Sequence, residues 1–180
     1  LVLCAVTVRD FGLTYDEPRY IENTRRMQAW FAGLATDGVA RQLAADRITE
    51  GWYYARTESK NLPLVSIVSA IGEAVGGRFD SPPASHRWGN LLVFAITCGV
   101  MFSWVRQELS TAAAVIAVAA LLGIPRVLAH AQLLSIDPLV ACFWVLATWA
   151  LWYSRRGGWG WPILFGVLAG IGATAKPTFW

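Results

Sequence analysis

From Trp88 onward the chain stays apolar for about one bilayer width at a time, and single charges mark the breaks. Residues 88–105 carry no charge and end at Arg106. Residues 109–125 are uncharged and continue past Arg126 through Val127, Leu128 and Ala129 to His130. Residues 138–154 lie uncharged between Asp137 and Arg155, and residues 157–175 between Arg156 and Lys176. A helix needs about 20 apolar residues to cross the hydrocarbon, and its backbone groups must be satisfied within the segment. The pattern predicts four transmembrane helices with short connections. Trp88, Trp104, Trp152, Trp159 and Trp161 cluster near the predicted ends, where amphipathic rings settle at the membrane interface.

Upstream of these spans the pattern changes. Residues 1–8 are apolar but too few to cross by themselves, and read as the tail of a first transmembrane helix in an excerpt of a longer protein. After Asp16, Glu17 and Pro18, apolar side chains recur at Tyr20, Met27, Phe31 and Leu34, with Thr24 filling the step. That is a helical stripe, and Pro18 suits its first turn. A second stripe, Leu64, Ile67, Val68, Ile71 and Val75, follows Pro63 and ends at Gly76 and Gly77. It is too short to span and fits a helix lying at the interface. The expected fold is an all-α polytopic membrane protein. Residues 1–9 end one transmembrane helix, 10–87 form an extracytoplasmic loop with interfacial helices, and 88–180 hold transmembrane helices two to five.

Composition agrees with this reading. The chain of 180 residues is 56% hydrophobic and only 15% charged, whereas a soluble domain carries about 25% charged residues. An ordinary soluble enzyme and a disordered chain are both excluded. Residues 1–88 hold ten basic and ten acidic side chains, so the net charge of +3 comes from the membrane half and gives no argument for nucleic acid. The three cysteines, Cys4, Cys98 and Cys142, sit far apart in apolar runs and suggest neither a disulfide framework nor a zinc site. Two lone histidines, His86 and His130, make no metal signature, and no cofactor is indicated; a divalent cation has no evident ligand set. The glycines near 157–172 lie in or beside apolar helix, not in a phosphate loop.

Alternation of the spans puts Arg106, Arg155 and Arg156 on one face and Arg126 and Lys176 on the other. The positive-inside bias assigns the first group to the cytoplasm, and a loop as long as 10–87 crosses largely regardless of its charge. Asp16, Glu17, Lys60, His130, Asp137 and Lys176 therefore converge on the non-cytoplasmic side. Ionisable residues at membrane depth usually face a cavity or a partner. Plainer roles exist for each. Asp16 and Asp137 are placed to cap helices, His130 suits a partly buried interface, and Lys176 can reach the headgroups along its stem.

These residues resemble a family. The apolar first helix followed by Tyr15-Asp16-Glu17-Pro18-Arg19-Tyr20 is similar to the opening of polytopic C-fold glycosyltransferases, most of all the dolichyl-phosphate-mannose-protein mannosyltransferase and aminoarabinose-transferase group. Residues 58–64 lie where such proteins often read His-Pro-Pro-Leu or Lys-Pro-Pro-Leu; here Asn61-Leu62-Pro63 departs from that pattern. His86-Arg87-Trp88-Gly89-Asn90 resembles their entry to the second span, residues 125–137 their turn between the third and fourth, and residues 170–177 the end of their fifth.

The resemblance implies an integral multi-pass protein of a bacterial plasma membrane with its active face on the non-cytoplasmic side. It implies a sugar donor on a polyprenyl phosphate and an acceptor hydroxyl on a glycan, lipid or protein. Asp16 is the expected base, with Glu17 orienting the acceptor or helping to bind a metal. Lys60, then Arg87 and Arg126, are expected to meet the donor phosphate. His130, Asp137 and Lys176 complete the cavity wall. A membrane transporter, or a non-catalytic scaffold with a partner-binding loop, stays open as an alternative.

Overall fold

The computed structural model describes residues 2–52 and 63–176, and every regular element among them is a helix. In chain order these are α1 (Val2–Thr7), α2 (Glu17–Thr36), α3 (Val39–Gln42), α4 (Ala45–Trp52), α5 (Pro63–Gly76), α6 (Ala84–Glu108), α7 (Thr111–Leu122), α8 (Pro125–Ala131), α9 (Ile136–Ser154) and α10 (Gly160–Ala173). Lys60 lies outside the described residues. Two helices, α6 and α9, are long and apolar enough to cross a membrane, and α7 with α8 makes a third span if that bent pair is counted as one. The chain is an integral membrane protein whose described residues form helices and no strands.

The expected four spans are thus reshaped at two places. The run from 109 to 130 bends by 76° between α7 and α8. Pro125 has no N–H to continue the ladder and drives the residue before it out of the helical region. Ile124 accordingly takes the extended values φ −84° and ψ 107°. The last run is helical only over the 14 residues of α10, or about 21 Å. Gly157 and Gly158 adopt φ of 90° and 88°, a region other residues avoid, and so hold the connection from α9 out of helix.

Both stripes form helices, and each is buried along only part of its length. Helix α2 buries Tyr20, Thr24 and Met27, as its stripe predicts, and Ile21 beside them, while Phe31 emerges to 49% exposure. Helix α5 divides its apolar stripe. Leu64 and Val68 are buried together with Val65, Ser66, Ser69, Gly72 and Gly76, while Ile67, Ile71 and Val75 are exposed. In lipid, small side chains form the helix–helix seam because they let backbones approach, and large apolar ones can face the tails.

That seam is close. A Cβ on Gly72 would strike the backbone of His86 and Gly89, one on Gly89 would strike the carbonyl of Val68, and Gly76 makes room for the indole of Trp88. Backbone cannot swing aside as a side-chain end can. Gly89→Ala is therefore expected to cost about 1–3 kcal/mol through overpacking. Scanning fluorimetry of the full-length protein in detergent should show a lowered unfolding midpoint, and an unchanged midpoint would refute so tight a crossing.

The bundle has two chemically distinct ends. At one, the polar, aromatic and basic residues at the C-terminal ends of α6 and α9 meet. Tyr153 Oη donates to Gln107 Oε1 at 2.8 Å, Arg156 pairs with Glu108, and the Arg155 guanidinium lies 4.0 Å from the Trp152 ring. At the other end, the start of α6, the turn before α9 and the end of α10 come together around the polar residues described next.

Candidate active site

Glu17 and Arg87 form the node on which this end is built. Glu17 occupies the first turn of α2, started by Pro18, and is 0% exposed. Arg87, in the first turns of α6, is also 0% exposed. Their contact is bidentate: Arg87 Nε donates to Glu17 Oε1 at 2.6 Å and Nη2 to Oε2 at 2.7 Å. Arg87 Nη1 also donates to the carbonyls of Val8 and Phe11 at 2.9 Å each, and Nη2 to that of Gly12 at 2.8 Å. These bonds account for the five N–H groups of a guanidinium. The Glu17 carboxylate in turn accepts from the backbone N–H of Leu134 at 3.0 Å and of Thr14 at 2.9 Å. Burial pushes the Glu17 carboxyl up, but the Arg87 guanidinium and those two amides outweigh it and hold it below the ordinary carboxylate range.

The node ties five pieces of chain together: the end of α1, residues 9–16, the start of α2, the start of α6 and the turn before α9. Asn90, one turn beyond His86 on α6, reinforces the last of these. Its Nδ2 donates to the carbonyls of Leu133 at 2.7 Å and Ser135 at 2.9 Å. Thr7 Oγ1 donates to Gln132 Oε1 at 2.5 Å, joining α1 to the same turn.

Two carboxylates are displayed outside this buried layer. Asp16 stands at the N-cap position of α2 and is exposed; its carbonyl accepts from Arg19 and Tyr20, but its side chain makes no capping bond. Asp137 is also exposed. It is not the cap of α9, as its place before Pro138 suggests, because Ser135 holds that position and Asp137 falls in the first turn. There its charge favours the positive end of the helix, and it accepts from Lys176 Nζ at 3.1 Å. The two acids are neighbours of one phenol. Burial, then the charges of Asp16 and Asp137, push Tyr20 up to about 12 against the opposing effect of Arg19.

Asp137 also borders a cavity of about 280 Å³ between α6, the α7–α8 bend and α9. Its wall is mainly apolar, with Phe94, Leu121, Val127 and Val145 among the lining side chains. Arg126, His130 and Asp137 supply its charged groups and imidazole, and the Cys142 thiol also lines it. Nδ1 of the half-buried His130 is shielded from solvent without a hydrogen-bond partner.

The expected site residues thus divide into three groups. Asp16, Arg126, His130, Asp137 and Lys176 lie at one end of the bundle and are accessible in whole or part. Glu17 and Arg87 are brought to the same end but are sealed beneath it. A buried carboxylate with both oxygens engaged has no access to an acceptor or a metal, and Arg87 has no N–H left for a phosphate. Each satisfies the other in this arrangement. Lys60 falls outside the described residues. Tyr20, Asn90 and Gln132 were not expected at the site. The one available signal was polarity on an apolar helix: Asn90 recurs one turn after His86 and Arg87.

Residues 63–180 match the family model described as dolichyl-phosphate-mannose-protein mannosyltransferase. No curated protein and no solved structure matches the chain. The matched stretch begins with α5 and includes Arg87, Arg126, His130, Asp137 and Lys176, while Asp16 and α2 to α4 precede it.

Proposed function

The chain belongs to the dolichyl-phosphate-mannose-protein mannosyltransferase family, and from that premise we propose that it moves a sugar from a polyprenyl-phosphate donor to an acceptor hydroxyl on the non-cytoplasmic face of a bacterial plasma membrane. Family membership supports membrane glycosyltransferase activity in general. The observation that carries the finer reading is the place of Asp137, which borders the apolar cavity and shares Tyr20 with the exposed carboxylate of Asp16. An apolar cavity and a solvent-facing carboxylate thus lie at the same end of the bundle.

The isoprenoid next to the phosphate occupies the apolar cavity, with the phosphate toward Arg126 and His130. The acceptor hydroxyl approaches the anomeric carbon from the side of Asp16. As the new C–O bond forms, the bond to the lipid phosphate breaks and Asp16 takes the hydroxyl proton. The phosphodiester becomes a monoester and gains a negative charge, which the Arg126 guanidinium meets. Tyr20, held protonated well above neutral pH, offers a donor between the two acids. Glu17 and Arg87 position these groups without touching the substrates.

The test supplies full-length protein in membranes with labelled polyprenyl-phosphate sugars and follows donor consumption. Wild type should consume at least one donor of the panel. Arg126→Gln should raise the donor KM and lower kcat/KM by about tenfold or more, the loss of one charge-assisted contact. If wild type consumes no donor across the panel, the transferase reading fails. An Arg126→Gln enzyme with unaltered donor kinetics would remove Arg126 from the phosphate.

A further inference from the structure

The first loop contains a second cavity, of about 160 Å³, between α2 and α4, well separated in sequence from the membrane cavity. Its wall includes Arg26, Trp30, Gln42, Arg47, Glu50 and Gly51. We infer that this cavity is a saccharide subsite, and that it holds a sugar ring of the acceptor at a distance from the reacting hydroxyl. The acceptor role rests on the transferase reading above; the saccharide site rests on its own geometry.

The wall is built rigidly. The Trp30 ring meets Phe31 and Trp52 edge-on, with centroids 5.2 and 5.5 Å away, and its Nε1 donates to the Gln42 carbonyl at 3.0 Å. Gly51 lets the indole lie against α4, since a Cβ there would enter the Trp30 side chain. Gly33 does the same for the buried Gln42 side chain, which donates to Asp37 at 3.2 Å. An indole fixed by three neighbours presents its surface with little entropy left to lose on binding.

The chemistry of the wall selects the ligand. A site for an anion has no use for Glu50, and a site for a cation has none for Arg26 and Arg47. A ring of hydroxyls both donates and accepts, and its C–H face is apolar, so it suits an aromatic wall with both kinds of polar group. At the mouth Arg47 Nη1 donates to Glu50 Oε2 at 3.4 Å, the side chains being 35% and 74% exposed, and Arg26 pairs with Glu22 at 3.0 Å, so a bound hydroxyl would share these pairs. The volume is below the roughly 300–1,000 Å³ of drug-sized pockets and suits a single ring.

The position suits an acceptor. Arg26 lies ten residues from Asp16 and Trp30 fourteen, which along α2 is about 15 and 21 Å. The bound ring is thus not the one that reacts, and the acceptor is long enough to bridge that span. Binding energy from a remote part of a substrate can serve the reacting centre. The cavity also lies ahead of residues 63–180, in a part of the chain that the family model does not match. Acceptor choice is the property most naturally placed there.

The experiment uses full-length protein labelled with 5-fluorotryptophan in detergent micelles, with the Trp30 fluorine resonance assigned by its loss in Trp30→Phe. Methyl glycosides of mannose, glucose and galactose are titrated in turn. At least one should shift the Trp30 resonance saturably, and Arg47→Ala should weaken that binding about tenfold. No shift with any glycoside, an equal shift in Arg47→Ala, or a response only to inorganic phosphate or free lysine each overturns the inference. Donor consumption is measured on the same preparations. Consumption without a Trp30 shift overturns the subsite and leaves the transferase standing; a saturable shift without consumption keeps the saccharide site and overturns the transferase.

Discussion

Asp16→Asn should abolish sugar transfer while leaving the protein folded and at its normal level in the membrane. The expected loss is about 10²- to 10⁴-fold, the usual worth of a positioned base. The substitution is informative because it separates chemistry from structure. Asp16 is exposed at the N-cap position of α2, where asparagine serves as well as aspartate. Its side chain makes no capping bond to be lost, and the packing beneath it belongs to Glu17. The amide differs only in having no site of adequate basicity for the acceptor proton. The measurement compares labelled-donor consumption and product in membranes holding equal amounts of wild type and variant. Transfer that persists unchanged removes Asp16 from catalysis and turns attention to Asp137, the other exposed acid beside Tyr20. A scaffold would be indifferent to the change, and a transporter would show altered ion coupling instead of lost turnover.

How far the fold could be read in advance depended on which physical rule governed each segment. Charge spacing located α6 and α9 closely, because exclusion of charge from hydrocarbon acts residue by residue. It placed the start of α6 at Trp88, four residues late, because His86 and Arg87 looked like a boundary. Inside the protein Arg87 is neutralised by Glu17, so the helix begins before the charge. The bend at Pro125 was visible as a residue but was overridden by the length of the apolar run. The stripe on α5 was legible as a helix yet not in how it divides, with Leu64 and Val68 inward and Ile67, Ile71 and Val75 outward: periodicity gives a face and leaves open whether lipid or protein covers each part of it.

The site divides along a similar line. Topology alone brought Asp16, His130, Asp137 and Lys176 to one end, since each flanks a span on the same side. It could not distinguish Asp16 from Glu17. The two are adjacent, about 100° apart around a helix, and one faces solvent while the other faces the core. What decides between them is Arg87, seventy residues away. The same contact, with the carbonyls of Val8, Phe11 and Gly12, occupies every N–H of Arg87, while Arg126 stands at the cavity. Long-range pairing of this kind has no local signature.

Removing that pairing should be the most damaging single change to stability. Arg87→Leu leaves the Glu17 carboxylate buried without its counter-charge, and breaking one side of a buried pair costs about 3–5 kcal/mol. Arg87→Lys should recover little of this. An ammonium has three donors in a compact head, whereas here a planar fork meets one carboxylate and the carbonyls of Val8, Phe11 and Gly12. Replacing both partners, Glu17→Leu with Arg87→Leu, should cost less than the two single changes added together, because neither leaves the other charged and alone. The pair also predicts an acid dependence. The Glu17 carboxyl is held below its ordinary value in the folded state, so its contribution is complete above the unfolded pKa and is lost as pH falls through the folded one. Unfolding midpoints of full-length protein in detergent, followed from neutral to acid pH, should decline more steeply for wild type than for Glu17→Gln. Equal slopes would mean that this carboxylate is not paired as described, and an Arg87→Leu protein as stable as wild type would mean the same. Where the variant still folds, its transfer rate should fall as well. Asp16 is held one residue from Glu17, and the turn leading to Asp137 is held by the amide of Leu134, so releasing the node frees both acids from their shared place at Tyr20.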